Sequence, residues 1–144
     1  MAHEIVSTAH TQWRGSLREG TGSVSLDSSG TGSLPLSWAV RAEKREKGTT
    51  SPEELLGAAH SACFSMALSN ALTNAGTPPE SISTNADVTF VAGEGITEIH
   101  LVTVAEVPEM SAADFETHAQ RAKRDCPVSK ALKGVSIRLS ATLR

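Results

Sequence analysis

The N-terminal third of the chain contains short stretches of apolar and β-branched residues, in part alternating with polar ones, and this pattern predicts β-strands. β-branched and aromatic side chains lie there without helical spacing, and Pro35 places the start of the last segment at a sheet edge. Stretches rich in glycine and serine separate the segments and predict turns. The predicted strands are residues 5–14, 22–27 and 34–40.

The middle of the chain predicts one long helix, from Pro52 to about Asn74. Ser51 suits the N-cap and Pro52 the first helical position, with Glu54 three residues after the cap. Thr50 offers an alternative cap one residue earlier. Nearly every position is apolar or small, and a helix without a charged face is buried on most sides. We therefore expect a sheet on one side of this helix and another packing partner on the other.

The C-terminal half predicts two strands, two helices and a last strand. Ser111 suits the N-cap of the first helix, and Cys126-Pro127 opens the second, short helix. The whole order is βββ-α-ββ-α-α-β, which predicts an α+β fold with an antiparallel-rich sheet, as one domain over residues 1–144. The predicted elements are strands 82–92 and 95–106, helices 112–125 and 126–132, and strand 135–143.

Composition narrows the function classes. The net charge is −3 and no long basic run occurs, so the electrostatic footprint of a nucleic-acid-binding protein is absent. With three Phe, two Trp and no Tyr, the core must consist mainly of Ala, Val, Leu and Ile. Such small side chains require close approach of elements or burial against a second chain. The N-terminus lacks an apolar signal region, so we expect a soluble cytoplasmic protein with no membrane span.

Two cysteines are the candidate chemistry. Cys63 lies within the long helix and Cys126 lies 63 positions later, a spacing that matches neither a C-x-x-C motif nor a zinc site. Taken alone, Cys63 is equally explained as a small buried apolar residue. Cys126 precedes a helix, and Arg121, Lys123 and Arg124 lie close by. These features favour a thiolate, although the cations also suit the last turn of the preceding helix.

Two segments carry a resemblance to a known family. They are SPEELLGAAHSACFSMAL at residues 51–68 and CPVS at residues 126–129, and Trp13-Arg14-Gly15 adds to them. On these segments the chain resembles the OsmC branch of the OsmC/Ohr peroxiredoxin-like family, over essentially its whole length. The resemblance implies antiparallel-rich sheets packed on a long buried central helix, an intertwined homodimer with sites at the interface, and no metal or cofactor.

The resemblance also assigns roles to residues. Cys63 matches the peroxidatic thiol, Cys126 the resolving thiol and Glu53 the family carboxylate. The activating arginine matches Arg41 first and Arg18 second. If Glu53 and Cys63 share one straight helix, about 15 Å separates them along its axis, so a single arginine hardly reaches both within one chain. We therefore expect Glu53, together with Arg41, to act on Cys63 of a partner chain.

The implied activity is the reduction of organic hydroperoxides, and more weakly of hydrogen peroxide, to alcohols. It would proceed through a Cys63 sulfenate and a Cys63–Cys126 disulfide, which an external dithiol reduces. His60, one turn before Cys63, is either a packed neighbour or a tuner of the thiol. Two other classes stay open: a dimer that binds a hydrophobic ligand with inert cysteines, and a nucleic-acid-binding domain, against which the acidic charge balance argues.

Overall fold

The computed structural model describes residues 2–144 and shows an α+β arrangement, as expected. The elements are β1 (Ala9–Arg14), β2 (Thr21–Leu26), β3 (Ser33–Leu36), α1 (Trp38–Ala42), α2 (Pro52–Asn74), β4 (Ser81–Val91), β5 (Gly95–Glu106), α3 (Ala112–Asp125), α4 (Pro127–Ala131) and β6 (Ser136–Leu143). The chain divides into two compact units, one ending at Pro52 and the other running from Glu53 to Arg144. The single domain expected over residues 1–144 stays a prediction.

The N-terminal unit contains a three-stranded antiparallel sheet in the order β1-β2-β3. Trp13 of β1 pairs with Gly22 of β2. A Cβ atom at Gly22 would lie 2.6 Å from the Trp13 ring, so only glycine leaves room for the indole across the neighbouring strand. An aromatic ring over a strand glycine is a recognised way to stabilise such a position.

The third predicted strand is shorter than expected, which corrects the sequence interpretation. β3 ends at Leu36, and residues 38–42 form the short helix α1 instead of extended chain. Ser37 is the cause, because its hydroxyl accepts a hydrogen bond from the Val40 backbone N–H at 3.3 Å and so caps the helix. β1 is shorter too, beginning at Ala9 rather than at residue 5.

Helix α2 has the predicted bounds, and its C-terminal signal works as expected. Gly76 adopts a positive φ of 83°. The Thr77 N–H donates to the Leu72 carbonyl and the Gly76 N–H to the Thr73 carbonyl, both at 3.0 Å. This pair of bonds is the Schellman motif, which satisfies carbonyls that the helix end leaves open.

The C-terminal unit packs α2 and α3 on one face of a second sheet. That sheet has the order β4-β5-β6, with β4 and β5 antiparallel and β5 and β6 parallel. α2, β5 and α3 supply most of the core, and Cys126 belongs to it. The buried core side chains include Phe64, Leu68, Leu72, Ile99, Leu101, Phe115, Ala119 and Ala122.

The other face of α2 is exposed in the single chain. Ala58, Ala59 and Ala62 lie on it, and the Met66 side chain is 73% exposed. By length and composition α2 is also long and apolar enough to cross a membrane, a test that core helices pass as well. The single chain thus supplies the expected sheet on one side of the helix and leaves an apolar face on the other.

Gly57 sets how closely α2 approaches β4. A Cβ atom at this position would lie 3.0 Å from the carbonyl oxygen of Ala86. Backbone cannot move aside as the end of a flexible side chain can, so a larger residue must push the helix away from the sheet. The scarcity of large side chains in the sequence is matched here by close approach of backbone to backbone.

We expect Gly57→Val to reduce the free energy of unfolding by about 1–3 kcal/mol, the usual cost of overpacking. Urea denaturation at fixed protein concentration measures it. Gly32→Val is the matched control, because no atom lies within 4 Å of a Cβ there. Equal stability of the two variants would contradict the close approach.

Candidate active site

The two cysteines meet at the contact between α2 and α4. Cys63 lies on α2 and is partly exposed, whereas Cys126 lies between α3 and α4 and is completely buried. Their thiols are hydrogen-bonded to each other, and neither cysteine forms a disulfide. A disulfide requires that two cysteines approach closely, and these two are neighbours although they lie 63 positions apart in sequence. The arrangement places a reachable thiol in front of a buried one.

The start of α4 serves Cys63 rather than Cys126. Cys126 occupies the predicted N-cap position, but its side chain makes no capping hydrogen bond. The Val128 N–H, one of the open donors of the helix end, donates to the Cys63 sulfur instead. The end of α4 therefore contacts the thiol of Cys63, and not that of Cys126 as the sequence suggested.

The cations near Cys126 have other partners. Lys123 Nζ donates to the Ile137 carbonyl at 3.3 Å, and Arg124 pairs with Asp125 at 3.0 and 3.3 Å. Both cations lie in the last turn of α3, where they complement the helix dipole. Of the two explanations that the sequence left open, the position at the helix end is the one that these contacts favour.

The surroundings of Cys63 within residues 53–144 oppose its ionisation. Burial raises the pKa of the Cys63 thiol most, and the neighbouring Cys126 thiol raises it further, while the Val128 N–H lowers it. No cationic side chain of these residues contributes. A thiol with a raised pKa is mostly protonated near neutral pH, so this unit alone holds Cys63 in its unreactive form.

Glu53 and Cys63 occupy the same continuous helix. Glu53 is buried in the first turn of α2. Ten residues of helix place it about 15 Å from Cys63 along the axis. The structure thus contains the one unbroken helix that the sequence argument assumed. The length of this helix keeps the two side chains apart within one chain.

The two candidate arginines belong to the N-terminal unit. Arg41 is half-buried in the last turn of α1. Arg18 is 78% exposed, and its Nη1 lies 3.7 Å from Glu43 Oε1. An exposed ion pair of this length leaves Arg18 solvated, which makes Arg41 the better candidate.

Sequence reasoning gave Ser129 no role, yet it is the partner of His60. His60 Nε2 and Ser129 Oγ are 2.7 Å apart, and both residues are buried. Within the described residues, His60 Nδ1 has no hydrogen-bond partner. Burial lowers the pKa of His60, so the imidazole is neutral at neutral pH. No signal in the sequence alone points to this pair, because the two residues lie 69 positions apart.

An open groove of about 630 Å³ lies between the C-terminal half of α2 and the start of β4. Met66 and Ile82 supply apolar surface, and Ser65, Ser69 and Asn70 supply polar groups. Residues 2–144 contain no group of three or more His, Cys, Asp or Glu side chains placed to hold a metal ion.

Comparison with known proteins identifies relatives of this chain. Residues 45–140 match the family model described as OsmC-like protein. The chain is 48% identical over 132 residues to peroxiredoxin OsmC of Escherichia coli, covering 90% of this chain and 91% of that protein. It is 32% identical over 99 residues to organic hydroperoxide resistance protein-like 2 of Staphylococcus saprophyticus, covering 66% and 70%.

Solved structures share the fold. An OsmC-like protein from Mycoplasma pneumoniae superposes with a TM-score of 0.67 at 21% identity, covering 99% of both chains. The organic hydroperoxide resistance protein OhrB of Bacillus subtilis gives 0.62 at 22% identity, covering 95% of this chain and 98% of that one.

The family model and the 48% identity to a peroxiredoxin therefore define an oxidoreductase of the peroxiredoxin type. The chain belongs to the OsmC-like family, which confirms the resemblance stated from its motifs.

The neutral buried His60 predicts a loss of stability in acid. The unfolded chain takes up a proton at the ordinary histidine pKa of 6.5, whereas the folded chain, with its lowered pKa, does not. Stability is complete above about pH 6.5, falls as the pH drops below that value, and levels off beneath the folded pKa. Each pH unit within this window costs up to about 1.4 kcal/mol.

Urea denaturation of wild type and His60→Gln between pH 8 and pH 5 measures this effect. The other four histidines remain in both proteins, so the difference between the two curves isolates His60. The glutamine variant should lose less stability on acidification. Identical pH dependence would show that the imidazole is not held neutral.

Proposed function

We propose that this protein reduces organic hydroperoxides to alcohols with Cys63 as the attacking thiol and Cys126 as the resolving thiol. The observation that carries the proposal is the hydrogen-bonded pair itself, with Cys63 partly exposed and Cys126 buried behind it. An attacking thiol must meet substrate, whereas a resolving thiol needs only to reach the attacker. The relatives named for organic hydroperoxide resistance support the substrate class.

The cycle balances with one peroxide and one dithiol. The Cys63 thiolate attacks the terminal peroxide oxygen, the O–O bond breaks, and the alkoxide leaves as an alcohol after protonation. The Cys63 sulfenic acid then reacts with the Cys126 thiol to give the disulfide and water. An external dithiol reduces this disulfide by thiol–disulfide exchange and is itself oxidised.

Activation of Cys63 requires a group from outside residues 53–144. Lowering a thiol pKa by two to three units corresponds to about 3–4 kcal/mol of selective stabilisation of the anion. Arg41 can supply this, since a guanidinium stays charged when partly buried, and Glu53 can orient it. Because Glu53 and Cys63 lie far apart on one helix, we assign Glu53 to the Cys63 of a second chain.

The same helix supports a homodimer. The exposed face of α2 carries Ala58, Ala62 and Met66, and small apolar residues permit a second helix to approach closely. Among the apolar residues near the site, Phe64 is completely buried in the core, whereas Met66 lines the open groove. Met66 is therefore the better candidate to contact the alkyl part of a hydroperoxide. We also propose that the enzyme is soluble and cytoplasmic.

Intact-mass analysis after one equivalent of an alkyl hydroperoxide tests the thiol chemistry. We expect wild type to lose about 2 Da, the two hydrogen atoms released on disulfide formation. Cys126→Ser should gain about 16 Da as the sulfenic acid, because its attacker is intact and its resolver is absent. Cys63→Ser should keep its mass and consume no peroxide.

An unchanged wild-type mass under these conditions would contradict the proposal. It would favour instead a dimer of the same fold that binds a hydrophobic ligand and uses no thiol chemistry.

Mixed dimers test whether Glu53 acts in trans. Co-refolded chains of Cys63→Ala and Glu53→Ala should regain activity, because one site in each heterodimer then combines an intact Cys63 with an intact Glu53. Random mixing makes half of the dimers heterodimers with one intact site of two, or about a quarter of wild-type activity. A mixture of Cys63→Ala with Cys63→Ser is the control, since it restores no site. Activity no higher than that of either parent would place Glu53 in cis.

A further inference from the structure

A second polar contact joins α2 and α4 beside the two thiols. His60 precedes Cys63 by three residues on α2, and Ser129 follows Cys126 by three residues on α4. Residues three apart lie on the same face of a helix. The 2.7 Å His60–Ser129 hydrogen bond therefore runs alongside the thiol pair, about one helical turn away.

This contact differs from the other polar links between the two helices in one respect. The Val128 N–H bond and the thiol–thiol bond both end on the Cys63 sulfur, which is the atom that reacts. Oxidation of that sulfur changes both of these bonds. The His60–Ser129 bond involves no reacting atom.

α4 needs such a link because it spans only residues 127–131. A helix of five residues is far too short to be stable by itself, so tertiary contacts decide where it lies. A buried histidine is also a costly way to fill space, since its Nδ1 has no hydrogen-bond partner among the described residues. Packing alone would be served better by an apolar side chain, and a positioning role accounts for the polar pair.

We propose that His60 and Ser129 are positioning residues for the resolving step, which hold Cys126 within reach of Cys63 after Cys63 is oxidised. The inference rests on the proposed function. The Cys63 sulfenic acid has two competing fates. Cys126 attacks its sulfur, forming the disulfide while the hydroxyl leaves as water with the Cys126 proton. Otherwise a second hydroperoxide transfers an oxygen atom to it, giving sulfinic acid and another molecule of alcohol.

The test measures the partition between these two products. Ser129→Ala is exposed to increasing cumene hydroperoxide, and intact mass separates the disulfide, about 2 Da lighter, from the sulfinic acid, about 32 Da heavier. We expect the ratio of sulfinic acid to disulfide to rise roughly three- to tenfold over wild type, as for the loss of one hydrogen bond. The rate of the first oxidation, followed at limiting peroxide, should stay within about twofold of wild type.

Three further variants separate positioning from general loosening. Ser129→Thr keeps the hydroxyl and should show the wild-type partition. Ser129→Val has nearly the shape of the threonine variant but lacks the hydroxyl, so it should behave like Ser129→Ala. These two also carry the test if the alanine variant does not fold. Thr103→Val removes hydrogen bonds that join β4 and β5, to Thr84 at 2.9 Å and to the Ser83 carbonyl at 3.3 Å, and should leave the partition unchanged.

The outcomes distinguish the two proposals. Disulfide formation in wild type together with an unchanged partition in Ser129→Ala and Ser129→Val would overturn the positioning role alone. Equal slowing of both steps, or the same shift in Thr103→Val, would reduce the pair to a structural contact. Absence of any disulfide in wild type would overturn the proposed function and this inference with it.

Discussion

The contact between α2 and α4 is the constraint on which the site depends. Val128 and Leu132 pack against the core, and α2 contributes His60 and Cys63 to the same surface of the short helix. The chain places α4 directly after α3, with Cys126 as the last cap of one helix and the first of the next. The sharp change of direction at this one residue aims the open N–H of α4 at the Cys63 sulfur. The Val128 N–H at the start of α4 needs an acceptor, and the Cys63 sulfur, which is distant in sequence, provides it.

The same contact favours the protonated, unreactive form of Cys63 in the reduced protein. Burial and the second thiol both favour the neutral form of Cys63, while one backbone N–H favours the thiolate. In a region of low polarity the penalty on an unpaired anion exceeds what one hydrogen bond returns. The residues that hold the two sulfurs together are therefore not those that make either of them reactive. In the proposed function, assembly of the site and activation of the thiol therefore fall to different residues.

Local signals in the sequence predicted much of the fold. Ser111 caps α3 by accepting the Asp114 N–H at 3.1 Å, and Gly76 ends α2 with the bonds that such a glycine makes. Both signals act within a few residues, so they are readable without the tertiary structure. Helix α1 was missed because Trp38 to Val40 favour strands, whereas the deciding interaction is a single serine hydroxyl at Ser37.

The site was predictable only in part, for the same reason. The motifs identified Cys63 and Cys126, and the structure places them in contact. The Val128 N–H and the Ser129 hydroxyl carry no sequence signal of their own, because their partners lie 65 and 69 positions away. The two explanations for the cations near Cys126 could not be separated from the sequence either. Lys123 and Arg124 have nearer acceptors, a strand carbonyl and the adjacent Asp125, which composition alone does not reveal.

Helix α2 links stability to activation in the proposed dimer. One face buries Phe64, Leu68 and Leu72 in the core, and that face is complete within a single chain. The opposite face presents alanines and Met66, so covering it removes apolar surface from water and favours association. A second α2 lying along this face would bring its own first turn, with Glu53, toward the middle of the first helix, where Cys63 lies. Since about 15 Å of helix prevents the two from meeting within one chain, the proposed association that buries the apolar face would also bring to Cys63 the carboxylate that orients the activating arginine.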